Sequence, residues 1–370
     1  MSERAAILRT IGNPLEIAAI ELAPIAPDQV RVRIAAGGVC HSDLSQATGA
    51  LPAGTPTVLG HEGAGVIEAV GSEVHHVKPG DHVVISWVAA CGHCWFCRQG
   101  EVRLCRNAIP DSYAMPYATD STGAALFTSM GVSSFATATN CLGRAVVPID
   151  PDIPLDVASL IGCGVATGAG AALNTTPVGH GSSVAVIGLG GVGLASLMAA
   201  TVRGAAVVIG VDPVGSRRDV AAELGATHVV NPADGDVARQ IRSITGRRGA
   251  DFVFEAVGRG ATIETAIAAT RRGGSTCVVG AALPEDRVAL SAYDLFMNGK
   301  TLVGCQYGSV VPERDFPMLL ELWRTGRLPL ERLLTRRVQL EQVNEAFDDL
   351  TRGLGIRTVI VNDPPCRSSS

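Results

Sequence analysis

The sequence predicts an α/β protein with one doubly wound parallel sheet and a second, mostly antiparallel β domain. Between residues 30 and 88, short apolar runs alternate with glycine and proline turns, a pattern typical of short antiparallel strands in a small barrel or sandwich. After Gly181 the pattern changes to alternating strands and helices, beginning with SSVAVIGLGGVGLASLMAATV. Such alternation predicts a parallel, doubly wound sheet. With 370 residues, of which 47% are hydrophobic and 18% charged, the chain can fill two domain cores.

The order of these patterns predicts that the parallel sheet occupies the middle of the chain. Strand and helix signals continue through THVV, GADFVFEAVG, a helix from about Thr262 and STCVVG. Beyond about Tyr307 the sequence becomes helix-rich, and we expect the last strand, residues 356–361, to return to the first domain. The expected domains are therefore residues 1–166 with 307–370, including a cysteine-rich lobe at 89–107, and residues 167–306.

Composition and charge exclude several classes of protein. A net charge of -5 without any Lys/Arg-rich run argues against a nucleic-acid partner. Charged residues interrupt the first thirty positions, so no signal-peptide core is present and we expect a cytoplasmic protein. The uncharged stretch from 157 to 202 is interpreted as a buried helix, a turn and a buried strand, not as a membrane span.

A glycine turn opens the predicted parallel sheet. Gly188, Gly190 and Gly193 form G-x-G-x-x-G directly after an apolar strand, with Gly191 and Val192 inside the motif. This is the Rossmann arrangement, in which the glycines allow a tight turn, a close approach of the backbone to a pyrophosphate and close packing of helix and strand. The alternative is that these glycines only form a turn in the sheet and bind no ligand. A helix N-terminus placed after the turn attracts phosphates.

An acidic residue follows the second strand of this sheet. Asp212 lies nineteen residues after Gly193, where a carboxylate can bind the ribose hydroxyls of a dinucleotide and repel a 2′-phosphate. The sequence therefore favours NAD over NADP. Arg217 and Arg218 leave the alternative open, because a nearby arginine can hold a 2′-phosphate.

Four of the ten cysteines crowd into the segment CGHCWFCRQGEVRLC. Their compact spacing predicts a closed tetrahedral zinc site with a structural role; unrelated thiols or disulfides are the alternative. Paired histidines and basic flanks are absent, which disfavours a nucleic-acid zinc finger. We interpret Cys141, Cys277 and Cys305 as buried apolar residues and Cys366 as a free thiol. The four predicted structural ligands are Cys91, Cys94, Cys97 and Cys105.

A longer set of motifs carries a family resemblance. In order, these are GVCHSD, GHEGAGVIEAVG, VKPGDHV, the four-cysteine lobe, LIGCGVATG, GLGGVGL, GVD followed by LGAT, and GIRTVI. With them the chain resembles the zinc-containing medium-chain alcohol dehydrogenases over essentially its whole length. The resemblance implies a GroES-like catalytic domain beside the Rossmann domain, two zinc ions per subunit, NAD, and a homodimer or homotetramer.

The resemblance also implies residue roles. Cys40, His61 and Cys163 match the catalytic zinc ligands, which leave an open fourth position for substrate. Glu62 matches an acidic neighbour of the metal, and Asp43 matches the carboxylate that orients the histidine ligand. The remaining matches are Ser42 in proton transfer, His41 and Arg357 at the pyrophosphate, Thr167 and Val192 at the nicotinamide, and Asp212 with Arg217 at the adenosine ribose. Taken singly, His41, Ser42 and Arg357 also fit surface or turn positions.

The implied reaction is hydride transfer between NAD and a primary or small secondary alcohol and its carbonyl product, with zinc as a Lewis acid. Five residues after Cys40, where many relatives carry a histidine, this chain has Ser45, which cannot act as a base near pH 7. The proton then leaves through water or through another residue. Trp87 matches a position that narrows the substrate pocket; a core tryptophan is the alternative.

The sequence is also compatible with other functions. The segment GSVVPERDFPMLLELWRTGRLPLERLL is similar to bacterial formaldehyde dehydrogenases that act on a thiol adduct, including mycothiol-dependent ones. A nicotinoprotein with permanently bound cofactor is a second alternative. A non-enzymatic zinc and NAD binder would be expected to lack one of the three predicted ligands. A zinc-free quinone reductase is opposed by the complete ligand sets.

Overall fold

The computed structural model describes residues 2–108 and 116–362. The chain divides into two compact units: Met1–Cys163 with Val311–Pro317 and Leu334–Ser370, and Gly164–Val310 with Met318–Leu333. Residues 318–333, which the sequence assigned to the first domain, are thus grouped with the second unit. Arg327 donates to the Val202 carbonyl at 3.2 Å, and Arg332 pairs with Glu223. Cys366 lies outside the described residues.

The first unit is built from two β structures. One is a closed barrel with strand order β1-β2-β7-β8-β4, and the other is a sheet with order β10-β6-β5-β3-β18-β17, in which β9 also pairs with β3. The strands are β1 (Glu3–Leu8), β2 (Glu16–Leu22), β3 (Gln29–Val39), β4 (Thr57–Val58), β5 (Glu62–Val70), β6 (His82–Ile85), β7 (Ala118–Asp120), β8 (Ala125–Thr128), β9 (Ala138–Leu142), β10 (Val146–Ile149), β17 (Leu334–Val338) and β18 (Arg357–Val361).

The long strand β3 organises this sheet. Its first eight residues alternate between half-buried and buried positions, because one face covers the apolar core and the other carries Arg31 and Arg33. It pairs antiparallel with β5, β9 and β18. The expected return of the last strand to this domain is therefore observed, and β18 brings Arg357 to the same sheet.

The second unit contains a parallel sheet with strand order β13-β12-β11-β14-β15-β16. Its strands are β11 (Ser183–Ile187), β12 (Val207–Val211), β13 (His228–Val230), β14 (Ala250–Glu255), β15 (Thr270–Val278) and β16 (Thr301–Gly304). The chain adds strands outward from β11 to β13 and then from β14 to β16, so the order reverses between β11 and β14. This is the doubly wound arrangement, and ligands bind such sheets at the reversal point.

The described parts of the chain contain eleven α-helices. They are α1 (His41–Thr48), α2 (Trp95–Arg98), α3 (Leu155–Ser159), α4 (Gly164–Gly170), α5 (Gly191–Val202), α6 (Gly215–Glu223), α7 (Val237–Ile244), α8 (Gly260–Ala269), α9 (Ala292–Asn298), α10 (Pro312–Arg324) and α11 (Val343–Thr351). Among the described residues, no single helix is long and apolar enough to cross a membrane, although one bent pair, Leu155–Gly162 with Gly164–Thr175, meets the length and composition criteria.

Candidate active site

The three predicted catalytic ligands come together within the first unit. Cys40 follows β3, His61 precedes β5, and Cys163 follows a short 3-10 turn at Leu160–Gly162. Their ligand atoms, together with a carboxylate oxygen of Glu62, all lie within 4.8 Å of one another. Residues up to 123 positions apart in sequence thus form one cluster of donor atoms.

A buried carboxylate fixes the histidine of this cluster. Asp43, in the first turn of α1, is fully buried and lies 2.9 Å from Nδ1 of His61. It also accepts the backbone N–H groups of Cys40 at 3.2 Å and Gly60 at 3.0 Å. Asp43 therefore connects the segments that carry Cys40 and His61 and leaves Nε2 of His61 as the nitrogen available for a ligand.

The donor set fits a zinc ion. Nε2 of His61 is buried without a hydrogen-bond partner among the described residues, which is costly unless a ligand occupies that position. Hydrogen bonding from Cys163 lowers the pKa of Cys40 well below its usual range, although burial opposes this. Burial opposes a charge on His61, yet the Asp43 carboxylate and both cysteines raise its pKa. Two thiols and one imidazole form a Cys2His set, which is typical of catalytic zinc with an open position.

Glu62 has a partner of its own in this site. Its carboxylate, fully buried, forms an ion pair with the buried guanidinium of Arg357 on β18. Burial raises the pKa of Glu62 to about 7, against the opposing effect of Arg357. Gly38 makes room for this carboxylate, because a Cβ at that position would lie 2.0 Å from Oε2 of Glu62.

The first unit also contains His41, Ser42, Ser45 and Trp87, which the sequence analysis singled out. His41 is exposed, and Ser42 and Ser45 are half-buried on α1. Trp87 is half-buried and packs against the core cluster that includes Val32, Ile67 and Ile85. Its predicted role in the substrate pocket stays a prediction.

The four cysteines of the lobe form the second donor cluster, with ligand atoms within 4.8 Å of one another. The sulfur atoms of Cys94 and Cys97 lie 3.6 Å apart, and those of Cys94 and Cys105 4.0 Å apart. Backbone N–H groups of Cys97 and Arg106 lower the pKa of Cys94 to about 6, which favours the thiolate that zinc binds. All described cysteines are free thiols, and this lobe fits a closed zinc site.

The predicted dinucleotide turn lies at the end of β11 in the second unit. Gly188 has φ +91°, a conformation that side chains disfavour. A Cβ at Gly193 would lie 1.8 Å from the Gly188 carbonyl oxygen, so only glycine allows α5 to begin there. At Gly190 a Cβ would meet no atom of residues 2–108 or 116–362 within 4 Å, which leaves the backbone open to a ligand. Gly191 and Val192 form the first turn of α5.

Asp212 ties the second strand to this turn. Its carboxylate accepts the N–H groups of Leu189 and Val214, each at 2.8 Å, and lies 3.9 Å from Arg217. Arg218 donates to the Asp212 carbonyl at 2.6 Å. Thr167 lies half-buried on α4 of the same unit.

Sequence reasoning missed two residues that the structure singles out. Gly38 has no signal of its own, because its need for glycine arises from Glu62 on the neighbouring strand. Glu255 ends β14 and is fully buried. Its signal was available in the sequence, since an acidic residue closes the apolar run ADFVF.

Comparisons with known proteins point to one family. Residues 26–151 match the alcohol dehydrogenase GroES-like domain, and residues 191–324 match the zinc-binding dehydrogenase family. Geraniol dehydrogenase from Castellaniella defragrans is 38% identical, with 98% of each chain covered. S-(hydroxymethyl)glutathione dehydrogenase from Saccharomyces cerevisiae is 35% identical, covering 97% of this chain and 96% of the relative.

A solved structure shares the whole architecture. Benzyl alcohol dehydrogenase from Acinetobacter calcoaceticus superposes with a TM-score of 0.92 at 33% identity, covering 98% of this chain and all of that one. Together with the zinc-fitting donor sets, these similarities identify an oxidoreductase that acts on small alcohols or aldehydes with zinc and a nicotinamide dinucleotide. The chain belongs to the zinc-containing medium-chain alcohol dehydrogenase family.

Proposed function

We propose that this protein transfers hydride between NAD and a primary or small secondary alcohol, with the substrate oxygen bound at the cluster of Cys40, His61 and Cys163. The observation that carries the proposal is this Cys2His set, in which Nε2 of His61 is buried and has no hydrogen-bond partner among the described residues. A zinc ion held by these atoms supplies Lewis-acid polarisation of a substrate oxygen. The four cysteines of the lobe hold a second, structural zinc.

The surrounding residues prepare this chemistry. Asp43 keeps His61 in one orientation and one tautomer, so that Nε2 faces the ligand position. Ser42 accepts the alcohol proton and passes it on, and because Ser45 is a poor base, water carries it to solvent. Glu62 and Arg357 balance each other's charge next to the ligand atoms.

The coenzyme preference rests on Asp212. Its buried carboxylate at the end of β12 accepts ribose hydroxyls and repels a 2′-phosphate, which favours NAD. Arg218 donates a hydrogen bond to the Asp212 carbonyl, which holds its guanidinium close to the end of β12. We expect kcat/KM for NAD to exceed kcat/KM for NADP by about tenfold or more. Asp212→Ser should lower this ratio of the two kcat/KM values.

Metal analysis combined with NAD reduction on a primary-alcohol panel tests the proposal. We expect about two zinc ions per chain and turnover of simple alcohols. Cys163→Ser should lose one zinc and nearly all activity. Cys141→Ser, a matched change of a buried cysteine outside both clusters, should keep both zinc ions and full activity. One zinc and no turnover in the unmodified protein would contradict the proposal.

Oxidation of a formaldehyde–thiol adduct is the second candidate. It is favoured by the 35% identity with a relative named for S-(hydroxymethyl)glutathione, and by the segment 308–334. The same assay with formaldehyde, with and without added glutathione or mycothiol, separates the candidates. Activity with formaldehyde only in the presence of thiol, and none with simple alcohols, would establish this function instead.

We infer further that the chain forms a homodimer or homotetramer through the β16 edge of its parallel sheet. β16 ends the strand order, and the nearby side chains of Tyr293 and Phe296 are 72% and 81% exposed. Exposed apolar patches on soluble proteins commonly mark interfaces. Phe296→Asp should shift the sedimentation coefficient toward the monomer, and Ile11→Asp in the first unit should not. An unchanged assembly in Phe296→Asp would exclude this edge.

We also infer a cytoplasmic location, since both zinc sites need reduced cysteines. Fractionation of the source cells should place dehydrogenase activity with cytosolic marker enzymes. Recovery of the activity outside the cytosol would contradict this inference.

A further inference from the structure

Glu255 occupies the reversal point of the parallel sheet. It is the last residue of β14, whose neighbour β11 leads into the glycine turn. The side chain is fully buried, although the proposed alcohol chemistry does not use it. Burying a carboxylate is costly, so a position that served packing alone would favour an apolar residue.

The carboxylate of Glu255 holds the turn that follows β14. Its Oε1 accepts the N–H groups of Val257 and Gly258, each at 2.9 Å, and the hydroxyl of Thr262 at 2.7 Å. Its Oε2 is buried and has no partner among the described residues. The single oxygen Oε1 therefore fixes both the turn at 256–258 and the first turns of α8.

This turn forms one wall of the glycine turn. A Cβ placed on Gly188 would lie 2.7 Å from a Val257 methyl group and 3.2 Å from the carbonyl carbon of Ala256. At Gly193, a Cβ would lie 3.4 Å from the Ala256 side chain. Because the two turns are packed without intervening space, a shift of residues 256–258 would move Gly188 and the start of α5.

We propose that Glu255 is a positioning residue for the coenzyme: its carboxylate holds the 256–258 turn against the glycine turn, so that the N-terminal amides of α5 are aligned for a pyrophosphate. Charge-assisted hydrogen bonds are stronger than those of a neutral amide, which explains a buried carboxylate at this position. The inference rests on the proposed role of the glycine turn in NAD binding.

Calorimetric titration of the zinc-loaded protein with NAD tests the inference. Glu255→Gln should raise the dissociation constant of NAD about tenfold, while kcat at saturating NAD and zinc content stay within about twofold. Thr262→Val removes one of the three donors to Oε1 of Glu255 and should raise the dissociation constant of NAD about threefold. Glu264→Gln, the same exchange at an exposed position on α8, is the matched control and should leave the constant unchanged.

The outcomes separate this inference from the proposed function. If the unmodified protein does not bind NAD, the proposed function fails. If it binds NAD but Glu255→Gln only lowers the melting temperature and leaves the dissociation constant unchanged, Glu255 is merely structural and the inference is overturned. Should Glu255→Gln fail to fold, Thr262→Val decides: an unchanged dissociation constant for NAD overturns the inference.

Discussion

Asp43 shows how a residue outside the donor cluster can hold the ligand side chains in place. Its two oxygens receive the N–H groups of Cys40 and Gly60 and hold Nδ1 of His61. An amide nitrogen in place of one oxygen would face these donors. We therefore predict that Asp43→Asn lowers zinc affinity and kcat/KM about 10- to 100-fold.

Competition with a chromophoric chelator measures the zinc affinity of this variant. Asp120→Asn is the control, because Asp120 is also a buried aspartate of the first unit but lies outside both donor clusters. It should retain zinc as the unmodified protein does. Equal zinc retention by both variants would show that His61 needs no orientation from Asp43.

Gly38 tests how closely Glu62 is packed. The methyl group of alanine at position 38 would lie 2.0 Å from the Glu62 carboxylate, within the buried pair with Arg357. Gly38→Ala should lower the free energy of unfolding in urea by about 1–3 kcal/mol and reduce kcat/KM. Gly54→Ala has free space at its Cβ and serves as the control. A Gly38→Ala protein as stable as Gly54→Ala would refute the packing argument.

Some of these residues could not be predicted from local sequence motifs, for a physical reason. The glycine turn and the cysteine lobe are local motifs whose spacing reflects local geometry, so sequence alone points to them. Cys40, His61 and Cys163 meet only after β3 and β5 have paired, and their match to a family supplied the prediction. Gly38 depends on the same strand register, which no short segment of sequence encodes.

At the scale of elements, alternation and glycine turns predicted strands β11 to β15 of the parallel sheet and the helix after the glycine turn, because those signals reflect burial of one face. Pairing between strands that are distant in the sequence was harder to predict. The parallel pairs β4–β8 and β17–β18, for example, join segments whose register depends on the rest of the fold. Residues 318–333 read as part of the first domain, although their hydrogen bond to Val202 and ion pair with Glu223 tie them to the second unit.

The turn between β7 and β8 depends on the charge of Asp120. Hydrogen bonds from Thr122 and Arg9 hold the pKa of Asp120 well below its usual range. Because folding lowers this pKa, the ionised carboxylate stabilises the folded state above the ordinary carboxyl pKa, and this stabilisation fades as pH falls toward the lowered value. Asp120→Asn should therefore lower the melting temperature at pH 7, and its difference from the unmodified protein should shrink below about pH 4.

Melting curves between pH 7 and pH 3 measure this difference. Asp28→Asn, at an exposed position of the same unit, should show no such trend. A deficit for Asp120→Asn that is constant across this range would mean that the charge on Asp120 does not stabilise the turn.

For the whole molecule, the two metal-suited clusters and the glycine turn lie in different units. Among the described residues, both clusters suited to a metal ion belong to the first unit, whereas the glycine turn and Asp212 belong to the second. A ligand stabilises the part of a protein that binds it by RT ln(1 + [L]/Kd), about 2.7 kcal/mol at a hundredfold excess over Kd. Zinc should therefore stabilise the first unit around its donor clusters, and NAD should stabilise the second unit around the glycine turn.

Hydrogen exchange read by mass spectrometry can resolve this effect by segment. Removing zinc with a chelator should increase exchange in segments around α1, β5 and the lobe at 89–107, because four or three ligand side chains there lose their common partner. Adding NAD to the zinc-free protein should still slow exchange around Gly188 and the start of α5, since no metal ligand lies in that unit among the described residues. If zinc removal increased exchange equally in both units, or abolished protection by NAD, the two units would have to be treated as one cooperative structure.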